Sequence, residues 1–259
     1  MNALLEVSGL NKAFGAVVAA KDISVAVADG EKIGIIGANG AGKTTFVNTV
    51  TGYLTPDSGS VVFLGRDITA LPPRAVIAAG ISRSFQVPQI FTSLSVADNL
   101  LIACGVAEGG AFPAWQALRR PARFAAVTGL LARFGIASYR DQPAGLLPQG
   151  VRKLLDIAMA TVRVPRLLLL DEPTSGISAE EKFAIMDVVM GATVDDRRAV
   201  MFVEHDLDII ARYATRVLAF AEGTIIAQGA PAAVIGDANV KRYILGEAAA
   251  RRRAASAPS

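Results

Sequence analysis

The sequence of 259 residues is long enough for one large domain, or for one domain that carries a subdomain. Its formal net charge is +3, and three positive charges, Arg251–Arg253, lie in a tail rich in Ala, Ser and Pro. The rest of the chain is therefore neutral, which argues against nucleic acid as a partner, because such partners need a clustered basic face. The tail, residues 248–259, is expected to be disordered.

Cysteine content and hydropathy indicate the compartment. A single cysteine, Cys104, excludes an intrachain disulfide and fits a reducing environment. The first residues, Met1–Glu6, lack the basic and apolar regions of a signal peptide. Hydrophobic residues make up 52% of the chain, yet no uninterrupted apolar run approaches the ~18–20 residues that span a bilayer. We predict a soluble cytoplasmic protein with a surface for a partner.

A glycine-rich segment between an apolar run, 32–36, and a helix-compatible run, 46–50, predicts a phosphate-binding loop. Glycines allow successive backbone N–H groups to face an anion, and the helix N-terminus adds unpaired donors. Lys43 is placed to reach the β- and γ-phosphates of a nucleotide, and the Thr44 hydroxyl to ligate Mg²⁺. The alternative, an ordinary strand-to-helix turn, leaves the Lys-Thr pair unexplained. The loop consists of Gly37, Ala38, Asn39, Gly40, Ala41, Gly42, Lys43, Thr44 and Thr45.

Alternation of apolar and polar residues predicts antiparallel strands near the N-terminus, at 4–10, 23–27 and 60–64. The Asp29-Gly30 pair predicts a hairpin turn into the strand that precedes the phosphate loop. In the loop expected between the first two strands, Phe14 is either an aromatic that stacks on adenine or a partly buried loop residue. The spacing alone favours neither. These strands are expected beside a parallel nucleotide-binding core.

Residues 88–165 differ from the flanking sequence, since they are punctuated by proline and show helical periodicity. An apolar stripe at helix spacing, with Arg123 and Arg133 off it, consists of Phe124, Val127, Leu131 and Phe134. We interpret the region as a helical insertion whose stripe packs in a core. Residues 105–121 are expected to form a loop with a short helix and are assigned no chemistry.

Four leucines at 167–170 without polar alternation predict a strand buried on both faces of a parallel sheet. Asp171 and Glu172 follow at its C-terminal end, where ligands bind in such sheets. We expect Asp171 to hold Mg²⁺ through water and Glu172 to polarise the attacking water. Paired acids after a strand can also cap the next helix, but that alternative does not explain the stop at Pro173.

The segment 199–203 predicts another buried strand, and soon after its end stands His205, the only histidine in the chain. A lone histidine is more often a structural residue. Here an adjacent parallel strand would bring it to the γ-phosphate, so a catalytic role is the preferred hypothesis. Between the two strands, Ser178 and Glu181 have capping-box spacing and predict a helix start.

Five motifs occur in an order that resembles the ATP-binding cassette ATPases, over residues 4–247. They are the phosphate loop, Gln86 after Ile81–Phe85, the segment Leu147–Val151, the Asp171-Glu172 pair and His205. The resemblance implies an α/β fold with a RecA-like P-loop core and a mainly parallel sheet, together with an N-terminal antiparallel β subdomain. It also implies one ATPase domain at 1–247 with a helical subdomain inserted at about 88–165, and ATP and Mg²⁺ as cofactors.

The resemblance implies catalytic roles for single positions. Phe14 resembles the aromatic that stacks on adenine, and Gln86 the residue that contacts Mg²⁺ or the lytic water and relays to the membrane subunit. Glu172 resembles the catalytic base, and His205 the histidine that grips the γ-phosphate. Lys43 and His205 would stabilise the charge that develops on that phosphate.

The family resemblance also implies which residues bind the metal and which face the partner's nucleotide. The metal ligands implied are Thr44, Gln86 and Asp171. Cassettes of this kind form head-to-tail dimers, so the signature segment of one subunit closes the ATP site of the other. In this chain the signature positions implied at the nucleotide are Gln149 and Gly150.

Within the family, the segment 81–86, the insertion after Ala103 and the ending 240–247 are similar to the branched-chain amino-acid importer ATPases, specifically the first of their two paired ATPases. This implies a heterodimer with a second ATPase (a homodimer in isolation), two membrane permeases and, indirectly, a periplasmic binding protein. The chain would then lie on the cytoplasmic face of the membrane, and a groove around 86–91 would accept a short permease helix. The alternatives are a lipopolysaccharide-export ATPase, a soluble non-transport cassette or a phosphate-loop kinase.

Two departures from the family pattern concern the half-site offered to the partner. The usual Leu-Ser-Gly-Gly-Gln signature has Pro148 in place of serine, Gln149 in place of the first glycine, and Val151 in place of glutamine. A hydroxyl that would bond the γ-phosphate is missing, although a helix that begins near Gly150 would still direct backbone donors. Ser178 stands where an aspartate is usual. We hypothesise that one composite ATP site is more active than the other.

Overall fold

The computed structural model describes residues 3–108, 120–193 and 198–243. They group into two compact units, one of Met1–Ala79 with Met201–Ser259 and one of Gly80–Val200. The tail predicted at 248–259 and most of the loop predicted at 105–121 lie outside the described residues. Among the described residues, no helix is long and apolar enough to cross a membrane.

Strands and helices alternate along much of the chain. The strands are β1 (Leu5–Phe14), β2 (Val17–Val27), β3 (Lys32–Gly37), β4 (Ser58–Phe63), β5 (Arg66–Asp67), β6 (Ile81–Arg83), β7 (Leu167–Asp171), β8 (Ala199–Val203), β9 (Arg216–Ala221) and β10 (Thr224–Gly229). The helices are α1 (Lys43–Val50), α2 (Pro73–Ala79), α3 (Val96–Ala107), α4 (Pro121–Arg133), α5 (Gln149–Thr161), α6 (Ala179–Gly191), α7 (Leu207–Tyr213) and α8 (Pro231–Gly236).

In the first unit, β2, β1, β4 and β5 form a four-stranded sheet in that order, and every neighbouring pair is antiparallel. Leu5 and Val7 of β1 are buried as alternation predicts, and Leu10 is buried after an irregularity in the pairing between Val7 and Leu10. This confirms the antiparallel N-terminal strands. Phe14 is the last residue of β1 and pairs with Val17, so the prediction that it lies in a loop between the strands is wrong.

The strand that precedes the phosphate loop, β3, belongs to a second sheet. Strand β3 pairs in parallel with β9, and β9 pairs with β10 in antiparallel fashion. Helix α7 packs so closely on β3 that a Cβ on Gly34 would lie 2.7 Å from Ile210 Cδ1. The ring centroids of Phe46 in α1 and Phe220 in β9 are 5.5 Å apart, which fixes α1 against the sheet.

The hairpin predicted at Asp29-Gly30 is wrong. The turn forms, but β2 and β3 belong to different sheets, because β2 pairs with β1 and β3 pairs with β9. A turn signal between two apolar runs does not specify that the runs pair with each other. Here each run finds its partner elsewhere in the chain.

In the second unit, β6 and β7 pair in parallel, and Ser84 N–H donates to Leu169 O (2.9 Å) just beyond β6. All of β7 is buried, as the unbroken leucines predict. Helix α6 starts after Ser178, at the predicted position. The inserted subdomain at about 88–165 stays a prediction, since the compact unit runs from 80 to 200.

The stripe predicted on α4 is buried at Val127, Leu131 and Phe134. Arg123, which the periodicity puts off the stripe, is also buried, with 7% of its surface exposed. Its guanidinium donates to both carboxylate oxygens of Glu108, at 2.8 and 2.6 Å. Periodicity missed this residue because it detects only apolar side chains, and an arginine with a bidentate partner can be buried as well.

Candidate active site

The phosphate loop bends through conformations that favour glycine. Gly40 has φ 80° and Gly42, the N-cap of α1, has φ 100°. A Cβ on Gly42 would lie 2.5 Å from Ala19 O, and one on Gly37 would lie 2.5 Å from Phe220 O. The loop is therefore held at close range by neighbouring backbone, and it leads into the N-terminus of α1, the end of a helix that favours an anion.

Lys43, the first residue of α1, folds back over this loop. Its Nζ donates to Gly37 O (2.6 Å) and Ala38 O (2.8 Å), and only 6% of the residue is exposed. The ammonium group is thus already placed at the concave side of the loop. Gly223 N–H donates to Ala41 O (3.1 Å) and secures the loop from outside.

A cavity of about 200 Å³ opens beside the loop. It is lined by residues 38–41, Ala221, Glu222 and Tyr243. Sequence reasoning did not single out Tyr243, because its position near the loop depends on the return of the chain after β10. An aromatic ring beside a phosphate loop adds apolar surface that the loop itself lacks.

Two further predicted residues of the first unit are exposed. Phe14 at the end of β1 is 52% exposed, with Lys12 Nζ 5.8 Å from its ring centroid. An exposed ring at a strand end is available for stacking. His205 follows β8 and is exposed, while Glu204 beside it is 3% exposed and accepts a bond from the His205 N–H (3.2 Å). Asp206 caps α7 directly afterwards, so His205 stands between a strand and a helix start.

In the second unit, Asp171 ends β7 with an ion pair that the sequence did not indicate. Arg83 Nη2 donates to Asp171 Oδ2 (2.6 Å), and both side chains are largely buried. The pair joins the ends of the parallel neighbours β6 and β7, so it forms where two C-terminal strand ends meet. A carboxylate that already bonds a guanidinium fits an indirect contact to a cation through water better than a direct one.

Glu172 and Gln86 are brought together. Gln86 Nε2 donates to Glu172 Oε2 (2.8 Å), and the Glu172 backbone is left-handed, with φ 49°. That conformation is strained for a residue with a Cβ and is found at functional sites more often than elsewhere. Lys153 of α5 donates from Nζ to Glu172 O (2.9 Å), a contact that sequence reasoning missed.

The altered signature segment begins helix α5. Pro148 is the N-cap, and Gln149 is the first helical residue. Gln149 Nε2 donates to Ser175 O (3.4 Å). A Cβ on Gly176 would lie 2.2 Å from the same nitrogen. A Cβ on Gly150 would lie 2.7 Å from Ile185 Cδ1, so α5 and α6 approach closely here. The predicted helix near Gly150 is therefore present.

The donor atoms of the predicted metal ligands are a hydroxyl, an amide and a carboxylate. All supply the oxygen that Mg²⁺ prefers, and Mg²⁺ in such sites keeps water and takes phosphate oxygens as well. Within the described residues there is no cluster of three or more His, Cys, Asp or Glu side chains that could hold a metal ion. The donor types of Thr44, Gln86 and Asp171 thus fit a nucleotide-bound Mg²⁺.

Comparison with known proteins decides the family. A family model described as "ABC transporter" matches residues 20–175, which is more than half of the chain. The chain belongs to the ABC transporter family. The match includes the phosphate loop and extends through Glu172.

Relatives of this ABC transporter chain are similar over nearly their whole length. The high-affinity branched-chain amino acid transport ATP-binding protein LivG of Salmonella typhimurium is 31% identical over 252 residues, which cover 95% of this chain and 98% of LivG. The lipopolysaccharide export system ATP-binding protein LptB of Acidithiobacillus ferridurans is also 31% identical, with the same coverage. The ADP conformation of the cassette MJ1267 superposes with a TM-score of 0.85 at 29% identity, covering 95% of this chain and 100% of MJ1267.

These findings confirm the sequence predictions of fold and activity. The chain is an α/β ABC cassette, and it is an ATP-binding subunit with ATPase activity in a multi-subunit transporter. The roles predicted for single site residues stay predictions.

Proposed function

We propose that this cassette powers the uptake of branched-chain amino acids or related small solutes through separate permease subunits. The observation that carries the proposal is the match to LivG, which spans 95% of this chain and 98% of LivG. The solute itself is chosen by the binding protein and permeases, so the class of solute is proposed from the relative alone.

The proposed hydrolysis begins with ATP on the phosphate loop. Backbone N–H groups and Lys43 hold the β- and γ-phosphates, and Phe14 stacks on the adenine. Glu172 orients water in line with the γ-phosphate, while Lys43 and His205 stabilise the charge that develops there. The bond from Gln86 to Glu172 supports this, because it fixes the direction of the carboxylate.

In the proposed metal site, Thr44, Gln86 and Asp171 would hold a nucleotide-bound Mg²⁺. When bound, the ion neutralises phosphate charge and orients the γ-phosphoryl group. Arg83 holds the Asp171 carboxylate in one orientation, which suits a contact through water.

The proposed partners are a second ATPase in a heterodimer, two permeases at the cytoplasmic face of the membrane and, indirectly, a periplasmic binding protein. Exposed apolar side chains next to Gln86 support a permease contact, since Val87 is 70% and Phe91 50% exposed. The altered residues Pro148 and Gln149 support unequal ATP sites, because they weaken only the half-site that this chain offers.

The alternative, lipopolysaccharide export, rests on the equal coverage of LptB. Relatives of that type form homodimers, as the family resemblance implies. A homodimer of this chain would carry the altered signature, Leu147–Val151, in both sites. We therefore place the importer first.

The test is reconstitution of the chain in proteoliposomes with the permeases and the second cassette of its transporter. We expect ATP hydrolysis that a solute-loaded binding protein stimulates, and that Lys43→Ala abolishes. Stimulation by lipopolysaccharide, with full activity of the chain as a homodimer, would instead support the exporter. The asymmetry is tested by Glu172→Gln here and at the equivalent glutamate of the partner, and equal losses would contradict it.

A further inference from the structure

Helix α5 buries two charged side chains that the sequence analysis did not single out. Lys153 is 3% exposed and Asp156 is 6% exposed. They are three positions apart, so they lie on the same face of the helix, one turn from each other. Burial of charged groups is unfavourable unless each one gains hydrogen bonds, so their partners are informative.

Lys153 binds the backbone of two residues that the catalytic prediction singles out. Its Nζ donates to Gln86 O (2.8 Å) and to Glu172 O (2.9 Å). The side chains of Gln86 and Glu172 bond each other as well, at 2.8 Å. The ammonium group therefore holds the main chain of both residues, and a hydrogen bond between their side chains joins the two residues a second time.

Asp156 binds the same loop at two other points. Phe85 N–H donates to Asp156 Oδ2 (3.1 Å), and Gln89 N–H donates to Asp156 Oδ1 (2.9 Å). One carboxylate thus spans the loop on either side of Gln86. Burial raises the pKa of Asp156, and the two N–H donors act in the opposite direction. An isosteric amide has only one acceptor oxygen, so it can satisfy only one of these donors.

The position of these residues on α5 links their contacts to the start of the helix. The helix starts at Gln149 with the signature segment, which the family resemblance assigns to the partner's nucleotide. Lys153 and Asp156 follow within about two turns. A displacement of the helix start would therefore be passed to the loop 85–89 and to Glu172 through the four hydrogen bonds that these two side chains of α5 make.

We propose that Lys153 and Asp156 are positioning residues for ATP hydrolysis, which hold Gln86 and Glu172 in register with the signature helix α5. The proposal rests on the proposed hydrolytic roles of Gln86 and Glu172. In this proposal, neither Lys153 nor Asp156 touches the reacting atoms. They act by fixing where the Glu172 carboxylate and the Gln86 amide stand when the partner's nucleotide engages the start of α5.

The experiment compares Lys153→Met with Lys153→Arg in the assembled transporter. Lys153→Met keeps the length of the side chain but loses both bonds, so kcat for ATP should fall about 10- to 100-fold, as small misplacements of catalytic groups do. The KM for ATP and the Kd of a non-hydrolysable ATP analogue should change less than about twofold, because the phosphate loop has its own contacts. Lys153→Arg keeps a cation that donates to carbonyls and should restore part of kcat.

Arg163→Met is the matched control. Arg163 lies beyond the other end of α5 and donates from Nη2 to Val106 O (3.0 Å), so this change also removes a bond from a cation to a carbonyl. It should leave kcat unchanged. A structural role for Lys153 would instead lower the thermal midpoint and raise KM together with the fall in kcat, and would overturn the proposal.

Asp156→Asn supplies a second test that does not depend on Lys153. It should lower kcat at unchanged KM, and the double variant with Lys153→Met should lose no more than the larger single loss, because both act through the same loop. Additive losses, or wild-type kcat in Lys153→Met, would contradict the proposal. Absence of ATPase activity in the wild-type transporter, or full activity of Glu172→Gln, would instead contradict the proposed function.

Discussion

At the residue scale, Glu172 is held through both its side chain and its backbone. Its carboxylate accepts from Gln86, its carbonyl accepts from Lys153, and its φ is 49°. A general base must be held within hydrogen-bond reach of the water that it activates, and these contacts limit the motion of the carboxylate.

Glu172→Gln therefore tests its role with little change in shape. The amide keeps an oxygen for the Gln86 bond but has no carboxylate to accept a proton, so kcat should fall about 10²- to 10⁴-fold. Binding of a non-hydrolysable ATP analogue should persist. Single-turnover hydrolysis and equilibrium binding measure the two effects, and near-normal hydrolysis would show that another group activates the water.

The carboxyl of Asp156 predicts a pH dependence of stability. Burial raises its pKa above the ordinary value of 3.8, so the folded protein binds this proton more tightly than the unfolded chain does. The stabilisation from this group is fully present below pH 3.8 and is lost as the pH rises through the folded pKa. Asp156→Asn removes the titration.

We expect the free energy of unfolding of the wild type, minus that of Asp156→Asn, to decrease as the pH rises from 3.8 through the raised pKa of Asp156 in the folded protein. Urea unfolding of both proteins at a series of pH values measures the difference. A difference that increases with pH would mean that the N–H donors from Phe85 and Gln89 outweigh the burial of the carboxylate.

At the scale of the element, the phosphate loop depends on backbone approach as much as on glycine conformation. Gly40 and Gly42 both have positive φ, but a Cβ on Gly40 meets nothing within 4 Å, while one on Gly42 meets Ala19 O at 2.5 Å. A side chain at Gly40 would thus be opposed by backbone strain alone, while one at Gly42 would be opposed by backbone strain and by steric overlap.

Gly40→Ala should thus cost about 1–2 kcal/mol, which is the penalty of a left-handed residue with a Cβ. Gly42→Ala should cost more, because α1 must also shift away from Ala19. Thermal unfolding of each variant against wild type gives the comparison. Equal destabilisation would show that the contact with Ala19 relaxes without cost.

The elements also show where sequence patterns succeed. The four leucines of β7 predict a fully buried strand, because only a strand covered on both faces lacks polar alternation. The hairpin at Asp29-Gly30 fails, since pairing depends on partners that are remote in the chain. The burial of Arg123 was missed for a similar reason, because its partner Glu108 lies at the end of another helix.

At the scale of the whole molecule, the only cysteine reports whether the chain is folded. Cys104 in α3 is 5% exposed. Its burial raises the pKa of the thiol, and the negative charge of Glu108 raises it further, while the positive charge of Arg123 lowers it. A thiol that is both buried and protonated reacts slowly, because the thiolate is the nucleophile.

We expect Cys104 to react with a thiol reagent on the order of 100-fold or more slowly in the native protein than in denaturant. A matched control is Val106→Cys in a Cys104→Ala background, since Val106 is 59% exposed and lies on the same helix. It should react rapidly in the native state. Rapid reaction of native Cys104 would indicate that α3 opens locally.

The sequence by itself determined the family, the phosphate loop, the buried strand β7 and the candidates Gln86, Glu172 and His205. These features are encoded locally, because glycine spacing, unbroken leucines and motif order can be read without knowing which residues meet. The bonds of Lys153 and Asp156 to 85–89, the ion pair of Arg83 with Asp171, and Tyr243 beside the phosphate loop were decided by tertiary structure. Each joins residues far apart in the chain, and a hydrogen bond forms only where folding brings its donor and acceptor within about 3 Å.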